Sequence, residues 1–406
     1  MYVHKSIGRI VMIKKTLFLL FGSLIILSFA SNVAFATDDN VADVITWEDL
    51  EEQIRRDNLS SKALEENINS IETIDYTNMY YSLRNQLNQL STAQDFLVLT
   101  GQTENVLALS QTSTSLRTTY EDIRDGKLQR DSENVINQLR DAQNQVVLAG
   151  QSLYINILSM ERSVADGNRG LQALERGLAE LYLRKKFGQV SDSVIEDMQK
   201  SKADAINNLK TLQNSIASCK AQLQLLIGCE PTGKIELGAL PDLSGDEDAN
   251  FNYEEDLSLA KEKSSTLKNA KLSLEKAKES FEESEDSYVS GNLLGYQRDS
   301  AKYTYEAEKL NYESAVQNFE YSFNEIYRSV SSFKQIWKNK LEAVAYNERL
   351  VGIAETSYNL GRISYFQLLS ARDALENAKS EALAAQSDTF SALNKYDAAI
   401  KYGIVS

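Results

Sequence analysis

Histidine is nearly missing from this chain of 406 residues: there is one, at position 4. Proline occurs twice, at 231 and 241, and cysteine twice, at 219 and 229. His4 lies in a leader read below as removable, so imidazole metal ligands and histidine general bases are excluded from the rest. Scarce proline removes the strongest breaker of long helices. The two cysteines sit ten apart on one predicted helix, roughly 15 Å at 1.5 Å per residue. That exceeds the Cα separation a disulfide spans, so two small buried thiols are expected unless the helix ends early near Gly228. No Ser/His/Asp or Cys/His set, phosphate-binding glycine loop or metal-spaced cluster is present, so an enzyme is not expected and no cofactor is implied. Positive charge is also scarce, 43 Lys+Arg against 58 Asp+Glu, a net −15. Nucleic acid and anionic lipid both want clustered Lys and Arg, and neither is an expected partner.

Long apolar runs are almost absent too. The exception, Leu17 to Phe29, follows Lys5, Arg9, Lys14 and Lys15 and precedes Ala34-Phe35-Ala36. A charged start, a short apolar core and a small-x-small site read as a secretory signal peptide over 1–36, with Met12 as a possible true start. Removing it takes four positive charges and leaves 39 Lys+Arg against 58 Asp+Glu, or −19. The exported remainder is expected in the cell envelope. Neither cysteine follows the cleavage site, so no lipid anchor is indicated.

What is present is Ala, Leu, Glu, Lys and Gln in abundance, the composition of long helices. Both prolines, with Gly233, Gly238, Gly245 and the acidic run Asp242 to Asp248, mark one linker over 231–250, between a first helical repeat at 37–230 and a second at 251–406. The acidic run lacks the spacing of a calcium loop and reads as a solvated connector. Each half opens with a similar helix, from Trp47 and from Tyr253, in which Asp49, Leu50 and Ala63 match Asp256, Leu257 and Ala270 at an offset of 207. Each half closes with an interrupted helical hairpin. Ordered blocks at matching ends indicate an internal duplication. The apolar seams are narrow. Ala371, Ala374, Ala378, Ala382, Ala385, Thr389, Ala392, Tyr396 and Ala399 recur every 3.5 residues on average, the coiled-coil period. An uninterrupted helix from about Ala301 to Leu360 would be roughly 90 Å long. Such a rod needs neighbours, because an alanine seam buries little apolar area per residue.

The interruptions read as tight turns. Gly361 supplies a left-handed helix stop, with Leu360 and Ile363 beside it. Ser364 caps the next helix, and Gln367 completes a capping box. In the first copy Gly188 is the stop, Ser191 or Ser193 the cap, and Ser193 with Glu196 the box. A helix of about 40 residues follows each turn and ends in Gly228 or Gly403.

These turns resemble those of the TolC-like outer membrane efflux proteins, the outer membrane factors, whose two repeats each carry a Tyr-x-x-Gly-x-x-Ser tip before an Ala-rich helix. Here the pattern is Tyr358-Asn359-Leu360-Gly361-Arg362-Ile363-Ser364 with Leu368-Leu369. The first copy has Lys185 in the tyrosine position, then Phe187-Gly188-Gln189-Val190-Ser191. The resemblance implies an all-α protomer of long antiparallel coiled-coil helices in two repeats. It also implies a homotrimer around a hollow α-barrel, working in efflux or secretion. The tips then dock on a periplasmic adaptor (membrane fusion) protein below an inner-membrane pump. Phe187 to Ser191, with Tyr358 and Leu360 to Ser364, become the docking and aperture residues.

The chain departs from that pattern where the family inserts membrane-spanning β-hairpins. Ser287 to Ser300 and Asp95 to Ser110 lack the 9–11 alternating residues that a spanning strand needs. Membrane strands are therefore expected to be absent or vestigial, and an outer-membrane location rests on resemblance. Gln367 and Ser370 stand where some relatives ring the aperture with acids, although Asp192, Glu196 and Asp197 lie near the first tip. The alternative is an exported coiled-coil scaffold or adhesin that transports nothing.

Overall fold

The computed structural model describes residues 44–99, 103–243 and 251–405. The signal peptide lies outside them, as does the end of the linker from 244. Ten helices carry nearly all of the described backbone: α1 Trp47–Asp57, α2 Leu59–Glu72, α3 Tyr76–Leu99, α4 Thr103–Arg124, α5 Lys127–Lys186, α6 Asp192–Leu226, α7 Tyr253–Lys263, α8 Ser265–Val289, α9 Gly295–Asn359 and α10 Tyr365–Tyr402. Among the described residues there is no strand, only one isolated bridge between Ile45 and Leu237. None of the described helices is long and apolar enough to cross a membrane. Helices α3 and α4, and α8 and α9, stand at the two places where membrane strands would be inserted.

Four long helices set the architecture. α6 packs on α5, α5 on α10, and α10 on α9, so α6 and α9 form the two edges. At 60 and 65 residues, α5 and α9 are about 90 and 98 Å long. α9 begins at Gly295, six residues before the expected start, because Leu294 caps it and Gln297 Oε1 accepts from the Leu294 amide at 3.1 Å.

The helix that opens each half is broken where a continuous one was expected. Asn58 ends α1 and caps α2, accepting from the Ser61 amide at 2.9 Å. Ser264 does the same between α7 and α8, accepting from the Leu267 amide at 3.3 Å. Both opening helices are 11 residues long, with N-caps Thr46 and Asn252 and buried Ile54 and Ala260 in matching places. Their structural register is thus 206, one less than identical residues suggest. The caps and the Ile54–Ala260 pair set this register, in which buried Leu50 corresponds to Asp256 and not to Leu257.

A reason for the breaks lies in the closing glycines. Gly228 and Gly403 have φ of +74° and +70° and sit against the Asp57 carbonyl and the Lys263–Ser264 backbone. Asn58 Nδ2 also donates to the Leu226 carbonyl at 3.0 Å. The end of α6 thus abuts the α1–α2 break, and the end of α10 abuts the α7–α8 break. An unbroken opening helix would occupy that space.

Two apolar clusters lie at these junctions. One joins Leu50, Ile54, Val147, Tyr154, Ile157 and Leu223, and the other joins Ala260, Phe319, Phe323, Val330, Tyr396 and Ala399. The α10 seam is buried from Ala378 to Ala399, but Ala374 is exposed and Ala371 half-buried, so the packing opens toward the start of α10. Trp47 meets the Phe390 ring edge-on at 4.8 Å. Tyr154 donates its hydroxyl to the Gly238 carbonyl at 2.7 Å, with the Ile45 carbonyl at 3.0 Å. Both cysteines are free thiols; Cys219 is half-buried, but Cys229 is exposed. It follows Gly228 out of the helix, so helical periodicity no longer governs it.

Candidate functional site: the paired helical tips

Each tip is a glycine reversal with the same hydrogen bonds. At the first, the Gly188 amide donates to the Lys185 carbonyl at 2.9 Å and the Gln189 amide to Arg184 at 3.1 Å. At the second, Gly361 donates to Tyr358 at 2.8 Å and Arg362 to Ser357 at 2.9 Å. These pairs close a Schellman motif and require left-handed backbone at the glycine; φ is +67° at Gly188 and +69° at Gly361.

The caps differ. Ser364 accepts from the Gln367 amide at 3.3 Å, and Gln367 Oε1 accepts from the Ser364 amide at 2.8 Å, a complete capping box. In the first copy Ser191 is the cap residue, but its hydroxyl pairs with Ser193 Oγ at 2.9 Å and no side chain caps the helix. Ser193 lies inside α6, so no Ser193–Glu196 box forms. Instead Lys185 reaches across the turn to Asp192. That hydrogen bond raises the Lys185 pKa. Lysine in the tyrosine position thus replaces a ring contact: in the second copy Tyr358 meets Tyr365 across the turn at 5.8 Å.

Most of the expected tip residues face solvent. Phe187 and Leu360 are 72% and 62% exposed. Gly188, Gln189, Ser191, Tyr358, Gly361, Arg362, Ser364, Gln367, Ser193 and Glu196 are exposed, while Val190 and Ile363 are half-buried. Below them, Leu368 and Ile195 are buried. Nothing lies within 4 Å of a Cβ built on Gly188 or Gly361. The glycines answer to backbone conformation, and the reversals are open to an incoming surface.

A polar ladder brings the two tips to the same end of the molecule. Gln151 accepts from Asn394 at 3.1 Å, Arg162 donates to Ser387 at 2.7 Å, Ser380 donates to Asp166 at 2.6 Å, and Arg176 pairs with Asp373. As the α5 partner advances toward Lys186, the α10 partner retreats toward Tyr365. From Arg162–Ser387 to Arg176–Asp373 both helices move by 14 residues, and roughly another ten reach both turns. Within each hairpin, Lys202–Glu175 at 2.9 Å and Arg372–Glu355 at 2.8 Å tie the arms just above the tip. Sequence reasoning missed the ladder. Its members are isolated polar residues on separate helices with no spacing signal.

No protein-family model matches the sequence, and no curated protein matches it. Solved structures do share its shape. The outer-membrane channel OprN superposes with a TM-score of 0.56 at 10% identity, over 88% of this chain and 89% of that one. VceC, an outer membrane protein of Vibrio cholerae, gives 0.52 at 14% identity, over 88% and 95%. A membrane protein from Pseudomonas aeruginosa gives 0.52 at 12% identity, over 85% and 89%. At these identities the likeness speaks to fold. Two glycine-turned hairpins of long helices, side by side with their tips at one end, give this chain the TolC-like fold of outer-membrane channel proteins.

Proposed function

We propose that the chain is a subunit of a TolC-like conduit in a cell-envelope efflux or secretion system, acting by assembly and without catalysis. The observation that carries this reading is the pair of solvent-facing glycine reversals held at one end by the α5–α10 ladder. A homotrimer would close a ring by setting the α9 edge of one copy against the α6 edge of the next, since a head-to-tail contact that closes makes a ring. Tip residues 187–191 and 358–364 would then gather around one opening. They would meet the helical hairpins of a periplasmic adaptor, with an inner-membrane pump beyond it. Exposed backbone at Gly188 and Gly361 lets a partner helix approach without meeting a side chain.

The two helical repeats, 37–230 and 251–406, are proposed as copies of one ancestral unit. Like breaks at Asn58 and Ser264 and like closing glycines support this. A second reading, an exported coiled-coil scaffold or adhesin, is favoured by the helical hairpins α3–α4 and α8–α9 at the places of the membrane strands. Native mass spectrometry in detergent, with electron micrographs of end views, separates the two. The conduit requires a trimer with a central cavity. A strict monomer, or a rod with a filled centre, rejects it.

A further inference from the structure

Two helical hairpins stand at the end remote from the tips, and one reaches much farther. Glu72 pairs with Arg140 at 3.2 Å and Tyr76 bonds Ser132, so the chain climbs α5 toward its start. About five residues on, near 81, α3 passes the height of Lys127, where α5 begins. Residues 82–99 of α3 then extend about 27 Å further. The α8–α9 turn stops shorter. Glu283 bonds Lys127 at 3.1 Å and is level with it, and Val289 lies about 9 Å beyond. The outer part of the α3–α4 hairpin therefore stands past every other described helix.

That hairpin holds itself by one seam. Leu83, Leu116 and Ile123 are buried, with Leu87, Leu90 and Tyr120 packed against them. Beyond Leu83 no residue of α3 is buried. Two helices of 24 and 22 residues with so little apolar cover are marginal by themselves. The charge is as unusual as the packing. Between Arg84 and Arg117 only Asp95 and Glu104 are charged, two of 32 residues in a chain that is 25% charged. The exposed residues are instead neutral and polar: Asn85, Asn88 and Gln89 on α3, and Ser110, Gln111 and Thr114 on α4. Val98 and Leu99, at the end of α3, are 62% and 86% exposed.

We propose that the outer α3–α4 hairpin is a contact between copies of this chain, packing side by side with the same hairpin of its neighbours into a ring of helices. Self-association explains the composition. A chain carrying −15 repels its own copy, and a stretch nearly free of charge removes that repulsion where like faces meet. Asn and Gln side chains both donate and accept, so an amide can bond the same residue type on a copy, which a carboxylate or an ammonium cannot. Geometry names the pairs. Rotation about an axis along the rods leaves height unchanged, so α3 of one copy meets α4 of the next at its own level. Tyr80 stacks on Tyr120 at 4.7 Å, which sets Asn88 level with position 112 and beside Gln111. The ring rests on the conduit reading for its copies, and the experiment separates the two.

The test uses chains in which Cys219 and Cys229 are replaced by serine. One carries Asn88→Cys, the other Gln111→Cys with a different tag, and the two are co-expressed, purified and treated with a short bis-maleimide. A covalent pair bearing both tags is expected, and native mass spectrometry of the same sample reads the assembly. In a second arm, Asn88→Asp with Gln111→Glu sets like charges on the facing helices. Hydrogen exchange over residues 85–99 should quicken about tenfold or more, whereas in a solitary hairpin these exposed changes would leave it unaltered. Trimers without the covalent pair overturn this contact and leave the conduit reading standing; a strict monomer overturns both. Unaltered exchange in the double variant, or protection of 85–99 that requires added lipid vesicles, also overturns it.

Discussion

Alanine at Gly403 and at Gly361 asks one question in two surroundings. Both glycines have left-handed backbone, φ +70° and +69°. An L side chain there costs about 1–2 kcal/mol. At Gly361 nothing else is touched. At Gly403 the new Cβ lies 2.3 Å from Ser264 N, 2.5 Å from Ser264 Cα and 2.6 Å from the Lys263 carbonyl carbon. Those atoms are backbone, fixed by the α7–α8 break, and cannot swing away as a side-chain end could. Overpacking of this kind adds about 1–3 kcal/mol. The expected losses are therefore about 1–2 kcal/mol for Gly361→Ala and about 2–5 for Gly403→Ala. Gly228→Ala belongs with Gly403→Ala, since its Cβ falls 2.6 Å from the Asp57 carbonyl oxygen. Urea titration followed by helical circular dichroism reads the difference as a shift in midpoint at constant slope. Equal losses at 361 and 403 would refute the claim that α10 ends against the α7–α8 break. A loss at 361 above about 3 kcal/mol would refute the openness of the tip.

Other expectations follow from single contacts. Ser364→Ala should cost about 1 kcal/mol and speed hydrogen exchange in the first turn of α10, whereas Ser193→Ala, which caps nothing, should stay within about 0.5. Burial, with Glu48 nearby, pushes the Tyr154 phenol up to about 12, so its stabilisation holds below the ordinary value near 10 and drains as pH climbs through about 12. Tyr154→Phe should therefore flatten the alkaline loss of stability while lowering stability at pH 7, checked by denaturation across pH 8–12. With Cys219 and Cys229 replaced by serine, cysteines at positions 176 and 373 should be joined by a short bis-maleimide. Cysteines at 176 and 394 should not, because the ladder sets Asn394 beside Gln151.

Chain direction and local chemistry were legible without coordinates. Gly188 and Gly361 announce reversals because only glycine enters left-handed backbone cheaply, and Ser364 with Gln367 announces a cap because both bonds span three residues. Ser191 against Ser193 was not decidable this way. Either serine can precede a helix, and the choice fell to where the Schellman turn released the chain and to Lys185 binding Asp192. The α10 seam was legible from its period as far as Ala378, but exposure of Ala374 depends on where neighbouring helices diverge.

Sequence alone determined that this protein is made of long helices, folded back at two glycine turns, with seams too narrow for any one rod to stand by itself. These are properties of backbone propensity and periodicity, carried by neighbours within a few residues. Only tertiary structure decided that α1 breaks at Asn58 and α7 at Ser264, that Cys229 faces solvent, and that α5 and α10 share a polar ladder aligning the tips. Each depends on atoms from segments up to about 240 residues apart, meeting at distances that no local pattern encodes.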